Sequence, residues 1–164
     1  MHFLFSPVLS LSAVAAAAGE TDHVSTHQTD HKSTIGAVTL LHAWMPETEA
    51  RDALVFFEIK NEESFAVILL GAESDQASNV ELVGFDPKNG ETAYSTMPHL
   101  QIAPGSELIL APNAAAFRLS SIKGRLHAGD NFEINVIFDR GEVPVTVKVE
   151  SAGATQHSHA GHNH

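Results

Sequence analysis

Residues 131–150 read NFEINVIFDRGEVPVTVKVE, and this stretch decides the fold class. Phe132, Ile134, Val136 and Phe138 alternate with Asn131, Glu133 and Asn135. Val143, Val145, Val147 and Val149 then alternate with Pro144, Thr146, Lys148 and Glu150. A period of two puts each apolar set on one face of an extended strand, and valine and isoleucine suit that face. Asp139-Arg140-Gly141 between the two runs tolerates turn geometry. The stretch therefore reads as two strands joined by a tight turn, each with one side toward a core.

The same grammar extends back along the chain. Apolar or alternating runs cover residues 35–43, 53–60, 65–70, 80–85, 91–97, 106–111 and 116–122. Asp86-Pro87-Lys88-Asn89-Gly90, Pro104-Gly105 and Gly129-Asp130 supply turns between them. About nine short strands, evenly spaced and without a helical period, predict an all-β sandwich or barrel of antiparallel strands.

The chain has 164 residues, 43% of them hydrophobic, which is enough for one domain with a real core and short for two. Its formal net charge is −11, which argues against nucleic acid as a partner, because phosphate binding needs clustered Lys and Arg. There is no cysteine, which predicts no disulfide, thiolate zinc site or thiol catalysis and no cysteine-borne lipid anchor. No nucleophile motif, phosphate loop or H-E-x-x-H sequence appears, and Asp52, Glu58 and Glu81 are isolated carboxylates. The expectation is a protein that is not an enzyme.

The two ends differ from the middle. Phe3 to Ala18 is an alanine-rich apolar run ending in small residues, which reads as a signal peptide over residues 1–18 and predicts export to the periplasm. Pro7 and the serines make it too short and interrupted for a stable membrane span. Residues 19–34 are polar and read as a disordered linker, 35–150 as the β domain, and 151–164 as a histidine-rich tail.

Seven of the eleven histidines lie in these ends: His23, His27 and His31 before the domain, and His157, His159, His162 and His164 after it. Neutral imidazole is the commonest protein ligand for late first-row ions, and four rings within eight residues predict metal binding. Histidine alone does not select among copper(II), zinc and nickel. Met97-Pro98-His99 is the one place where a thioether and an imidazole fall close together. In an extended chain both would share a face, as a copper(I) half-site would require. Met45 reads as packing, and the isolated His42 and His127 as surface or capping residues.

The order of several residues resembles a known family. Leu41-His42-Ala43-Trp44, Val80-Glu81-Leu82, Ile102-Ala103-Pro104-Gly105 before Leu108, Pro112 before Phe117, and Leu126 with Gly129-Asp130 are similar in order and spacing to the PCu(A)C periplasmic copper chaperones. The resemblance covers residues 35–149. It implies a cupredoxin-like Greek-key β-sandwich or barrel that binds copper(I) and passes it toward the copper site of cytochrome oxidase. The family ligands follow the pattern H-x10-M-x21-H-x-M. Counted from Val-Glu-Leu, those positions fall here at Val83, Tyr94, Ala116 and Arg118, none of which is a histidine or methionine.

The combined expectation is an exported copper-binding protein, for copper(I) or copper(II), with the His-rich ends as its site. Its partner would be a recipient cuproprotein or an oxidase assembly factor. The alternatives are a β-sandwich that binds a partner without metal, and a zinc or nickel buffer built on the tail.

Overall fold

The structure is a computed structural model that describes residues 27–29 (backbone only), 32–88 and 90–157. The segment expected to be a signal peptide, together with His23, His31, His159, His162 and His164, lies outside the described residues.

Among the described residues twelve strands follow one another: β1 His27–Thr29, β2 Lys32–Ile35, β3 Val38–Pro46, β4 Ala53–Asn61, β5 Val67–Glu73, β6 Asn79–Phe85, β7 Tyr94–Thr96, β8 Leu100–Ile102, β9 Glu107–Leu110, β10 Ala115–Ser120, β11 Asn131–Phe138 and β12 Gly141–Glu150. No helix occurs among the described residues. The strands form one curled sheet in the order β7-β6-β10-β9-β4-β3-β12-β11-β5-β8, with β2 also on β3 and β1 on β2. The all-β, Greek-key architecture expected from the sequence is the one observed.

The deciding hairpin pairs as its alternation requires. Phe132 faces Val147, Ile134 faces Val145 and Val136 faces Val143, and all six are buried. They join Leu40, Val55, Phe57, Ile59, Leu69, Phe117 and Leu119 in the main core. Phe57 and Phe117 stack inside it with ring centroids 5.7 Å apart. Met45 is fully buried there, so its reading as packing holds.

The chain is ordered earlier than its composition indicates. The expected linker runs to Thr34, yet His27–Thr29 and Lys32–Ile35 form a hairpin, and β2 pairs with β3 across a turn at Gly36, whose φ is +58°. Polar residues here are accommodated by bonding. Ser33 is buried, and its hydroxyl donates to the Pro144 carbonyl at 2.7 Å. The short β8 falls outside the expected runs as well; it adds to β5 at the end of the sheet.

Two local devices fix the loops and the outer face of the sheet. At the end of β4, buried Asn61 donates from Nδ2 to the carbonyls of Phe65, Ile102 and Ala103 at 3.0, 3.0 and 3.1 Å, and its Oδ1 accepts from the Glu63 amide. One side chain thus satisfies backbone groups of two loops. The second device is a bulge in β3. Leu41 pairs with Glu58 and Trp44 with Phe56, so β3 carries one more residue than β4 across this step. His42 sits in the bulge with φ +55°, the left-handed region that non-glycine residues enter at a cost of about 1 kcal/mol. The extra residue shifts the parity of the strand. Leu40, Ala43 and Met45 face the main core, while Trp44 faces outward.

Candidate functional site

The outward Trp44 belongs to a second, smaller apolar cluster. It joins Phe56 of β4, Val83 of β6 and Ala116 of β10, with Leu54, Tyr94 and Ala154 at the margin. Ala116 lies opposite Val83 in the ladder, and the Trp44 and Phe56 rings are 5.0 Å apart. Alternation explains why these residues meet. Leu82 and Phe117 point into the main core, so their neighbours Val83 and Ala116 share the other face of the sheet.

The four positions marked by the resemblance therefore lie together on one face of β6, β7 and β10. Val83 and Ala116 are fully buried and offer no ligand atom. The Tyr94 hydroxyl accepts from the Asn113 amide at 3.0 Å. Arg118 donates from a terminal nitrogen to Glu81 Oε2 at 2.7 Å. This group of side chains is closed by apolar packing and an ion pair.

The bond from Arg118 holds the Glu81 carboxyl below its ordinary value of 4.5, against a smaller opposing effect of desolvation. A carboxylate depressed in the folded state contributes stability above its unfolded value, and that contribution is lost as pH falls through the folded value. Glu81→Gln is accordingly expected to flatten the acid limb of stability below about pH 4.5. Urea midpoints measured from neutral to acid pH check this, and an unchanged acid limb would refute it.

The chain after β12 runs back over this face. Ser151 accepts through its carbonyl from the Ala154 amide at 2.8 Å, and the turn lays Ala154 on the Trp44 cluster. The segment then carries His157 to the β3 bulge. His157 is 6% exposed, so it does not behave as a free tail residue. Its ring stacks on that of His42 with centroids 5.5 Å apart. His157 Nδ1 lies 3.1 Å from Glu150 Oε1, and His42 Nδ1 lies 3.9 Å from Glu58 Oε1. His42, Glu58 and His157 line one cleft with Ile109, Pro112 and Thr155.

The other described residues among the expected ligands lie away from this cleft. His27 stands in β1 opposite Thr34. Met97 packs against the main core, and its sulfur approaches Gly84 so closely that a Cβ there would stand 2.8 Å away. His99 is exposed on the link between β7 and β8. Thus Met97 is engaged as core filler beside Gly84. His127 is a surface residue, as expected, with Nδ1 3.0 Å from Glu47 Oε1. Among the described residues no three His, Cys, Asp or Glu side chains converge closely enough to hold an ion by themselves. No described helix is long and apolar enough to cross a membrane.

A family model described as "Putative lipoprotein LpqE-like" matches residues 38–150, the whole of the sheet from β3 to β12. The chain belongs to the LpqE-like family. A relative from Leifsonia xyli subsp. xyli (strain CTCB07), named "Putative lipoprotein Lxx21020", is 31% identical over 136 residues, 82% of this chain and 81% of the relative. Among solved structures, this LpqE-like chain is similar in fold to the apo PCuAC domain from PmoF1, with a TM-score of 0.64 at 19% identity, covering 74% of this chain and 99% of that one. The copper-bound PCuAC domain from PmoF2 gives 0.63 at 19%, covering 74% and 98%. The copper(I) form of DR1885 from Deinococcus radiodurans gives 0.54 at 22%, covering 66% and 75%. The LpqE-like fold is thus a PCuAC-like, cupredoxin-like sandwich.

Proposed function

We propose that this protein is an exported copper-binding protein that captures copper through its histidine-rich C-terminal end and hands it to a periplasmic or membrane cuproprotein such as cytochrome oxidase. The PCuAC-like fold supports this reading, since solved neighbours of the same fold carry copper. Membership in a family named for lipoproteins supports export. The observation that carries the reading is the position of His157. The first histidine of the cluster at 157, 159, 162 and 164 is seated against the sheet beside a second imidazole and two carboxylates, so the cluster begins at a fixed point of the fold. Imidazoles exchange ligands readily, as a carrier requires, and the net charge of −11 favours cations near the surface.

The test compares the full chain with a variant carrying His157→Ala, His159→Ala, His162→Ala and His164→Ala. Isothermal titration with copper(II), and with copper(I) under reducing conditions, is expected to lose at least one equivalent of binding in the variant. Equal stoichiometry and affinity in both proteins would refute the tail as the site. Competition with zinc distinguishes a copper carrier from a zinc or nickel buffer.

A second reading, a binding module that works without metal, is favoured by the apolar closure of Val83 and Ala116. It predicts that the full chain takes up no copper.

A further inference from the structure

We propose that the open edge of β11 at Asn131–Ile134 receives an extended basic segment of a partner protein, which adds as a strand antiparallel to β11 and continues the line of β5. This interaction surface is independent of the copper reading above.

The course of β5 leaves the edge open. β5 pairs with β11 from Phe138 to Asn135 and ends at Glu73, while β11 extends back to Asn131. On its other side β11 is paired along its whole length with β12. No described strand lies opposite Asn131–Ile134 on the β5 side. The peptide groups at this edge face the gap. The Asp130 carbonyl accepts from the Val149 amide on the β12 side, whereas the Glu133 carbonyl accepts from the Ser74 hydroxyl at 2.7 Å on the β5 side. Alternation then turns the N–H and C=O of Asn131 and Glu133 away from β12. A carbonyl oxygen can accept two bonds, so the Ser74 contact leaves room at Glu133 for a main-chain donor.

Beyond Glu73 the chain swings away through residues 74–78, and a groove of 590 Å³ opens between this loop and β11. Its floor is formed by Ala72, Ala77 and Phe132, all buried. Its walls carry Glu73, Asp75 and Glu133, all exposed, and no Lys, Arg or His lines it. The three carboxylates do not gather closely enough to hold a metal ion. Spread along the groove, they complement a row of cations on an extended chain. A strand laid against four residues of β11 covers about 13 Å. Opposite Glu133 its side chain points outward beside the carboxylate; opposite Phe132 and Ile134 its side chains point inward, toward the small residues of the floor. The fitting sequence therefore alternates Lys or Arg with a small apolar residue. Opposite charges directly across a ladder favour this register. A second copy of the same edge would set carboxylates against carboxylates, which opposes self-pairing.

The probe is the peptide acetyl-Lys-Val-Lys-Val-Lys-amide, titrated into the full chain while backbone amide resonances and their hydrogen exchange are followed. Binding is expected to shift the amides of Glu73, Asp75, Asn131 and Glu133 and to slow exchange at Glu133. In antiparallel addition the lysine amides face β11 and the valine amides face away. N-methylation of the central lysine is therefore expected to abolish these effects, and N-methylation of the valines to preserve them. Asp75→Lys combined with Glu133→Lys is expected to bind the parent peptide roughly tenfold more weakly and to take up Glu-Val-Glu-Val-Glu instead, with circular dichroism unchanged. Absence of binding at millimolar peptide overturns the proposal. So does equal binding of the peptide methylated at its central lysine, which leaves charge attraction without a ladder. Unchanged affinity in the charge-reversed variant places the peptide elsewhere and overturns it as well, and dimerisation of the full chain that Glu133→Lys abolishes would give the edge to a second copy instead. None of these readouts involves copper, so their failure leaves the copper reading standing.

Discussion

Replacing Phe117 by alanine is expected to cost about 4 kcal/mol of folding stability, a large part of the 5–15 kcal/mol typical of a domain. Phe117 is fully buried, stacks on Phe57, and lies in register between Leu82 of β6 and Val55 of β4. Its removal leaves a void where three strands meet, and a sheet on either side resists collapse into it. Residues 116 and 118, its neighbours in β10, face the other way, so the loss also loosens the platform beneath the Trp44 cluster. Urea unfolding followed by Trp44 emission measures the change; a loss below about 2 kcal/mol would show that the core relaxes around the vacancy.

Asn61→Leu is expected to be nearly as damaging, by about 3 kcal/mol, through a different cause. The amide group of Asn61 serves three carbonyls from two loops, at Phe65, Ile102 and Ala103. Leucine fills the space and supplies no donor, so those carbonyls lose this partner in a buried place where each unsatisfied group costs about 1–3 kcal/mol. Asn61→Asp separates bonding from shape. It keeps the volume but turns an oxygen toward three oxygens, and at neutral pH it should destabilise at least as much as leucine. Urea midpoints for both variants decide the matter; an aspartate variant as stable as the parent would refute this account.

How much of this is legible in the sequence depends on how regular the local pattern is. The β11–β12 hairpin is visible because eight alternating apolar residues allow only one register that buries them all. The β1–β2 hairpin is not, because its order rests on ladder bonds and on one serine hydroxyl reaching Pro144, far away in the chain. Asn61 carries no signal at all in a linear reading, since its partners lie up to 42 residues away. For the site, the histidine enrichment of the C-terminal end is legible from composition, but the burial of His157 against the sheet is not. His42 reads from the sequence as a surface residue. A clue is present in Leu40-Leu41-His42-Ala43-Trp44-Met45, where apolar residues occur on both parities. Such a run is what a strand looks like when an inserted residue changes which side faces the core. Glu58 and Glu150 become relevant only because β3 pairs with both β4 and β12.

That last pairing has a consequence for how the molecule is made. β12 lies parallel to β3, with Lys148, Val149 and Glu150 opposite Trp44, Met45 and Pro46, so two segments about a hundred residues apart must find each other. A chain emerging from its amino end, through a ribosome or a translocation channel, cannot close the barrel until its final strand is free. The segment from Ser151 to His157 then settles over the closed sheet, so the cover on the Trp44 cluster is the last described part of the fold to form.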